Sequence, residues 1–486
     1  MSQILNQLLG FGFLAFPFVG ALVLAIGIGV AVLVFPRLLL FLLLFATLVF
    51  PSSATDAFGN SLIFNVYGKG GGYLFFSLYE FGLIFLVVGG ALLAGWRQSA
   101  RGASYPGAQR EAGNPYLIWY LGLAVLFAGY VAVWMVDHFD AWPAVFTRAG
   151  IINVLFQGCI VSALIFHMRE AGERERMFRW LGIAAAVVMF GGLVRYAAFG
   201  GDPQGVYENE GSAGLLRLTF WDINYSIIAA MLAGWCLWSL VQKRNLSGIG
   251  KLVLAAVLLI CLADVALSAR RTAQVGLFLS LSAIFFLLPK GRRWIVIALF
   301  LVATPLVAYK LNQRINDNRS VVEKILKGDD RKEYLVDTRY ERNYELRLAM
   351  DEVRKSPVFG VGPAGAFNPK TAIGLGYHRG NYGFIHSGLG HILFKSGLVG
   401  LALFCGVLAT YLFTLRRSWV MASDFDKSLM VASICGMACA LPNLLVGTPV
   451  IEIRSMIVMG VCFAIPAMMR RTRSVASEPV FRPQMA

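Results

Sequence analysis

Apolar runs of about 20 residues recur along this chain, and a run of that length crosses the hydrocarbon core of a bilayer as an α-helix with every backbone amide bonded internally. Of 486 residues, 58% are hydrophobic and only 14% charged. No water-facing surface has room for so much apolar side chain, so an ordinary soluble domain is excluded. The runs predict spans at about 7–29, 31–50, 73–96, 115–136, 149–168, 179–200, 219–242, 249–268, 271–289, 293–311, 388–415, 427–447 and 453–469. The first two form one apolar stretch broken only by Pro36 and Arg37, which fits a hairpin or an interfacial segment plus one span. The expected fold is an all-α polytopic membrane protein, a bundle of about 12 to 14 transmembrane helices with one long outer loop. The start MSQILNQ has no positive charge, so no cleavable signal is expected.

Short loops keep their cations on one face. Arg97, Arg101 and Arg110 share one loop, Arg169, Arg174, Arg176 and Arg179 another, and Lys243, Arg244 and Lys251 a third. Lys290, Arg292 and Arg293 follow, then Arg416 and Arg417, then Arg470, Arg471 and Arg473. These groups fall on alternate sides of the spans, and the positive-inside rule makes that face cytoplasmic. The resulting division is a transmembrane bundle over 1–311, a long periplasmic loop over 312–387, transmembrane helices over 388–470 and a cytoplasmic tail over 471–486. The net charge of +16 is therefore mostly topology. It argues against nucleic-acid binding, because the cations are spread over inter-helix loops and not gathered in one soluble domain.

All seven cysteines lie within apolar spans, so neither a disulfide framework nor a Cys-based metal site is expected. Cys435 and Cys439 share a helix face and read as small packing residues. The sequence has no H-E-x-x-H element, no Walker A and no outer-loop D-x-D, so no metal or other cofactor is expected. Glu80, Arg195, Asp222, Asn224, Asp264 and Lys395 are costly in lipid and should face the bundle interior or a wet cavity.

In the long loop, DTRYERNYELRLAMDEVRKS (337–356) puts Leu346, Met350 and Val353 on one stripe, an amphipathic helix ending at Pro357. The glycine-rich PVFGVGPAGAF and GLGYHRGNYGF follow. They suit either close backbone approach to a ligand or plain turns. Next comes HSGLGHILFKSGLVG (386–400), which opens an apolar helix.

Together these pieces resemble the signature of the bacterial O-antigen polymerase and O-antigen ligase family. The resemblance is carried by Arg342 at the start of a helix, Pro357 to Gly362 as P-x-x-G-x-G, and His386-Ser387 before Gly397 and Gly400. LSARRTAQVGLFLSL (267–281) resembles the family's S-R-x-A element and points to Arg271, with Arg270 beside it. FWDINYSIIAAML (220–232) resembles a D-P-N element with Ile223 where proline is common. The resemblance implies a GT-C-like membrane glycosyltransferase at the periplasmic face of the bacterial inner membrane. Its donor would be an oligosaccharide on undecaprenyl diphosphate, and its acceptor another lipid-linked repeat unit for a polymerase, or lipid A core or a protein for a ligase. A chain-length regulator is a further candidate partner. Secondary transport or flipping is the non-enzymatic alternative, with intramembrane charges forming a path.

The residue chemistry suits such a transfer. A diphosphate leaving group gains negative charge as the anomeric bond breaks, and fixed guanidiniums stabilise that charge bidentately. Arg271 and Arg342 are the candidate clamp, with Arg270 as helper and Arg217, Asp222, Asn224, Gly360, Gly362, Ser387 and Tyr344 as candidate substrate contacts. His386 is the candidate partner of the acceptor hydroxyl, as general base or hydrogen-bond orienter. Helix-end anchoring at the headgroups is the plain alternative for the arginines, and capping for the histidine.

Overall fold

The computed structural model describes residues 27, 35–49, 77–102, 113–137, 151–168, 170–199, 223–242, 246–268, 270–301, 304–305, 338–367, 383 and 385–469. Among these residues the chain is all-helical. The helices are α1 (Pro36–Val49), α2 (Leu78–Gly102), α3 (Leu117–Asp137), α4 (Asn153–His167), α5 (Ala171–Phe199), α6 (Ile223–Gln242), α7 (Gly248–Leu267), α8 (Arg271–Leu287), α9 (Thr338–Lys355), α10 (Gly388–Trp419), α11 (Asp424–Val446) and α12 (Ile453–Met468). A further helical stretch covers 294–301. Five of them, α5, α6, α7, α10 and α11, are long and apolar enough to cross a membrane. The fold is that of an all-α polytopic membrane protein.

The bundle is built around α6, α11 and α12. The apolar window of α6 is 83% buried by protein, against 22% for α7, so α6 is a core helix and α7 a lipid-facing one. Small residues let these backbones approach, as membrane helices require when lipid is as apolar as leucine. A Cβ on Gly234 of α6 would lie 2.6 Å from Cys435 Sγ, and one on Gly276 of α8 would lie 2.6 Å from Cys439 Sγ. Cys435 and Cys439 therefore point at two different neighbouring helices as packing groups. Cys405, by contrast, is exposed.

Three local expectations need correction. Helix α5 begins at Ala171, inside the basic loop. Its Arg174 is 3% exposed and bonds Asp426 at 2.8 Å, so the cation is neutralised within the protein. Helix α10 is interrupted at Gly397, where φ is 62° and ψ is −164°. On α9 the inward stripe is rotated by one position: Glu345, Ala349 and Val353 are buried, while Leu346 is 37% exposed. The segment expected at 7–29 lies outside the described residues apart from Gly27, as does 312–337 of the long loop.

Candidate functional site

Helix α9 stops where Ser356 is followed by Pro357, and the chain turns through PVFGVG into the side of α10. In an unbroken helix the amides of Leu398 and Val399 would bond the carbonyls of residues 394 and 395. Here the loop takes both halves of that ladder. Leu398 N donates to Pro357 O at 3.0 Å and Val399 N to Val358 O at 3.1 Å, while Val361 N donates to Phe394 O at 2.9 Å and Gly362 N to Lys395 O at 3.0 Å. The four backbone groups freed by the break are thus satisfied inside the protein, the condition under which non-helical backbone survives in a membrane domain.

Glycine is needed on both sides of this latch. Gly360 and Gly397 have φ of 71° and 62°. A Cβ on Gly360 would lie 2.5 Å from Gly397 N, and one on Gly397 would lie 2.3 Å from Val358 O. Gly360 N bonds Ser356 O at 2.7 Å, so the amides of Gly360 and Gly362 are both already engaged by protein carbonyls. The two glycines hold the loop against the helix. Lys395 is fully buried and donates through Nζ to Pro363 O at 2.9 Å and also to Gly365 O, fixing the next turn. The Tyr130 hydroxyl of α3 donates to Phe359 O and ties the loop to the bundle.

His386 immediately precedes Ser387, whose hydroxyl accepts from Gly390 N at 3.1 Å and caps α10. Opposite lies Glu345 of α9. One carboxylate oxygen accepts from the His386 main-chain amide at 3.1 Å, and the two oxygens lie 3.2 and 2.9 Å from His386 Nδ1. A carboxylate offers only acceptors, so Nδ1 carries the hydrogen, and in the neutral ring that tautomer puts the lone pair on Nε2. The Glu345 side chain is 3% exposed and that of His386 33%, so the carboxylate is enclosed while the imidazole reaches the surface. Position 342 lies nearly one helical turn before Glu345 and shares its side of α9. The side chains of Arg342 and Tyr344 lie outside the described residues.

Arg271 is the first residue of α8, with Arg270 at the N-cap, no side-chain cap and no acid in the first turn. A helix N-terminus already carries partial positive charge. Two guanidiniums added there make an end that an anion would stabilise. Its position follows from helix register. Gly276 packs on Cys439, and Ser280 Oγ donates to Cys435 O at 2.7 Å, so α8 and α11 run antiparallel and residue 271 falls opposite Leu444. A Cβ on Gly388 would meet Leu444 Cα at 3.2 Å. Arg271 and the head of α10 therefore stand at the same end of the bundle, level with the end of α11.

Asn224 opens α6 at the same end and is fully buried, as is Asp264 in α7. Neither the Asn224 amide nor the Asp264 carboxyl has a hydrogen-bond partner among the described residues. Arg217 and Asp222 lie outside them. Glu80 is structural: its carboxylate accepts from Ser77 N at 2.6 Å while Ser77 Oγ accepts from Glu80 N, a reciprocal cap on α2.

Two residues at this end escaped the sequence reading. Glu345 was hidden because the alternating charges of α9 gave it no distinction. Arg454, 2% exposed, donates to Thr47 O at 3.2 Å and lies 4.8 Å from the Tyr225 ring centroid. The signal for it was present, as a cation inside the apolar run that forms α12.

The family model described as O-antigen ligase matches residues 254–405. The matched region runs from α7 into α10 and contains Arg270, Arg271, Arg342, Glu345, the glycine loop and His386. It supports the place of this chain in the O-antigen ligase and polymerase family, and with it a glycosyltransferase-like activity on lipid-linked glycans in a membrane setting. No curated protein matches the chain.

Proposed function

We propose that this chain polymerises undecaprenyl-diphosphate-linked oligosaccharide repeat units at the periplasmic face of the inner membrane. The observation that carries the reading is the presence, at the same end of the bundle, of an accessible imidazole and a helix N-terminus that bears two arginines and has no acidic residue in its first turn. In the reaction the acceptor hydroxyl oxygen attacks the anomeric carbon of the donor. The bond from that carbon to the diphosphate oxygen breaks, and its electron pair leaves with undecaprenyl diphosphate. The hydroxyl proton passes to His386 Nε2. Arg271 and Arg342 bind the diphosphate as its charge grows, with Arg270 beside them, so they stabilise the transition state more than the bound donor.

The test is the lipopolysaccharide and exopolysaccharide profile of a deletion strain carrying empty vector, the wild-type gene or His386→Ala. A polymerase predicts loss of long polymer, with single repeat units still attached to their acceptor, in both the empty-vector and His386→Ala strains. Full-length glycan stranded on the lipid carrier would instead make the protein a ligase. Wild-type polymer from His386→Ala would remove the histidine from the mechanism.

A further inference from the structure

Glu345 is a buried carboxylate in a place that should be apolar. It lies on the inward stripe of α9 with Ala349 and Val353, which with Ile385, Phe367 and Phe394 form a separate small apolar cluster. A buried carboxylate is costly unless its oxygens are taken up. Both are taken up by a single residue, through the main-chain amide and Nδ1 of His386. That double grip fixes the ring as well as the backbone beneath it. Ser387 holds the following turn by its cap, so residue 386 is held between α9 and the head of α10.

We propose that Glu345 is a positioning residue for the transfer reaction. It selects the Nδ1–H form of His386, aims Nε2 at the acceptor hydroxyl, and stabilises the imidazolium that forms when Nε2 takes the hydroxyl proton. The arrangement is the familiar one of a base oriented by a third group that touches no substrate. Position 342 stands on the same side of α9 as Glu345. The inference rests on the reading of His386 as the residue that meets the acceptor.

The test uses the full chain in nanodiscs, with undecaprenyl-diphosphate-linked oligosaccharide extracted from the deletion strain as donor and acceptor. The readout is the initial rate of undecaprenyl diphosphate release. Glu345→Gln keeps the shape and a carbonyl acceptor but removes the charge. It is expected to lower kcat on the order of 10²-fold, the scale of a lost proton-transfer arrangement, with KM within about twofold of wild type. Glu345→Asp keeps the charge at a shorter reach and is expected to fall between the two. Thermal unfolding of each variant in nanodiscs checks that the fold is kept.

The deciding measurement is the double variant. If Glu345 acts through His386, His386→Ala combined with Glu345→Gln is no slower than His386→Ala alone, within about twofold. A wild-type kcat for Glu345→Gln overturns the proposal, as does a loss that multiplies with that of His386→Ala, because a merely structural glutamate would damage both backgrounds alike. A raised KM at unchanged kcat overturns it too, by moving Glu345 to donor binding. If His386→Ala alone keeps the wild-type rate, the reading of the transfer site itself fails, a different result from failure of the glutamate.

Discussion

At the scale of single residues the site depends on charge type and backbone freedom. Arg271 is exposed at the first position of α8, where a planar guanidinium can meet two phosphate oxygens at once. Arg271→Lys keeps the charge and loses that fork, so its kcat should fall about 10-fold, and that of Arg271→Ala about 10²- to 10³-fold. In the proposed reaction the arginines would take the role of a divalent ion, and the expected outcome is that EDTA leaves the initial rate of undecaprenyl diphosphate release unchanged. Gly397 makes a conformational demand. Its φ and ψ of 62° and −164° lie in a region essentially reserved for glycine, and an added Cβ would collide with Val358 O. Gly397→Ala should cost at least about 1–3 kcal/mol in thermal unfolding and release the loop. Gly129→Ala, which meets nothing within 4 Å, should behave as wild type. The sequence exposed Arg271 and His386 as candidates because their motifs are contiguous. It could not expose Glu345, whose partner is 41 residues away.

At the scale of elements, pairs of helices are held by buried polar contacts that hydropathy cannot reveal. Arg174 of α5 and Asp426 of α11 are bonded by two guanidinium nitrogens at 3.0 and 2.8 Å, with side chains 4% and 11% exposed. Removing one partner leaves the other charge enclosed, so Arg174→Met should destabilise by roughly 3–5 kcal/mol. Arg174→Met with Asp426→Leu should recover much of that loss, since both desolvation costs disappear together. Thermal unfolding in detergent checks both variants. Periodicity correctly made α9 an amphipathic helix but turned it slightly about its axis. Leu346 was read as inward on its hydrophobicity, yet the packed face is set by Ala349, small enough for close approach, and by Glu345, held there by His386. Likewise 388–415 read as one uninterrupted span, since nothing in its hydropathy announces that a loop replaces part of its hydrogen-bond ladder.

At the scale of the whole molecule, the loop cations and the candidate site lie at opposite ends of the bundle. The end with Arg174, Arg292, Arg416 and Arg417 is the one that the positive-inside rule assigns to the cytoplasm. The proposed orientation has a direct check. A cysteine replacing Asp351 on α9, whose side chain is 58% exposed, should react with a membrane-impermeant maleimide in intact spheroplasts. A cysteine replacing Met421, 57% exposed between α10 and α11, should react only after the membrane is opened. The reverse pattern would place the histidine in the cytoplasm and remove a periplasmic transferase from consideration.

From the sequence alone follow an all-helical membrane protein and the short motifs proposed to carry its chemistry. Both are local properties: a bilayer admits only segments whose backbone is satisfied from within, and a motif is legible because its residues are neighbours in the chain. It took the folded structure to show that the P-x-x-G-x-G loop completes the broken ladder of α10, that α8 and α11 align Arg271 with Leu444 near the head of α10, and that Glu345 grips His386. Those relations are distances between segments far apart in the chain. They are fixed by the close packing of glycine and cysteine on α6, α8 and α11 and by the enclosure of one carboxylate, which no window along the sequence contains.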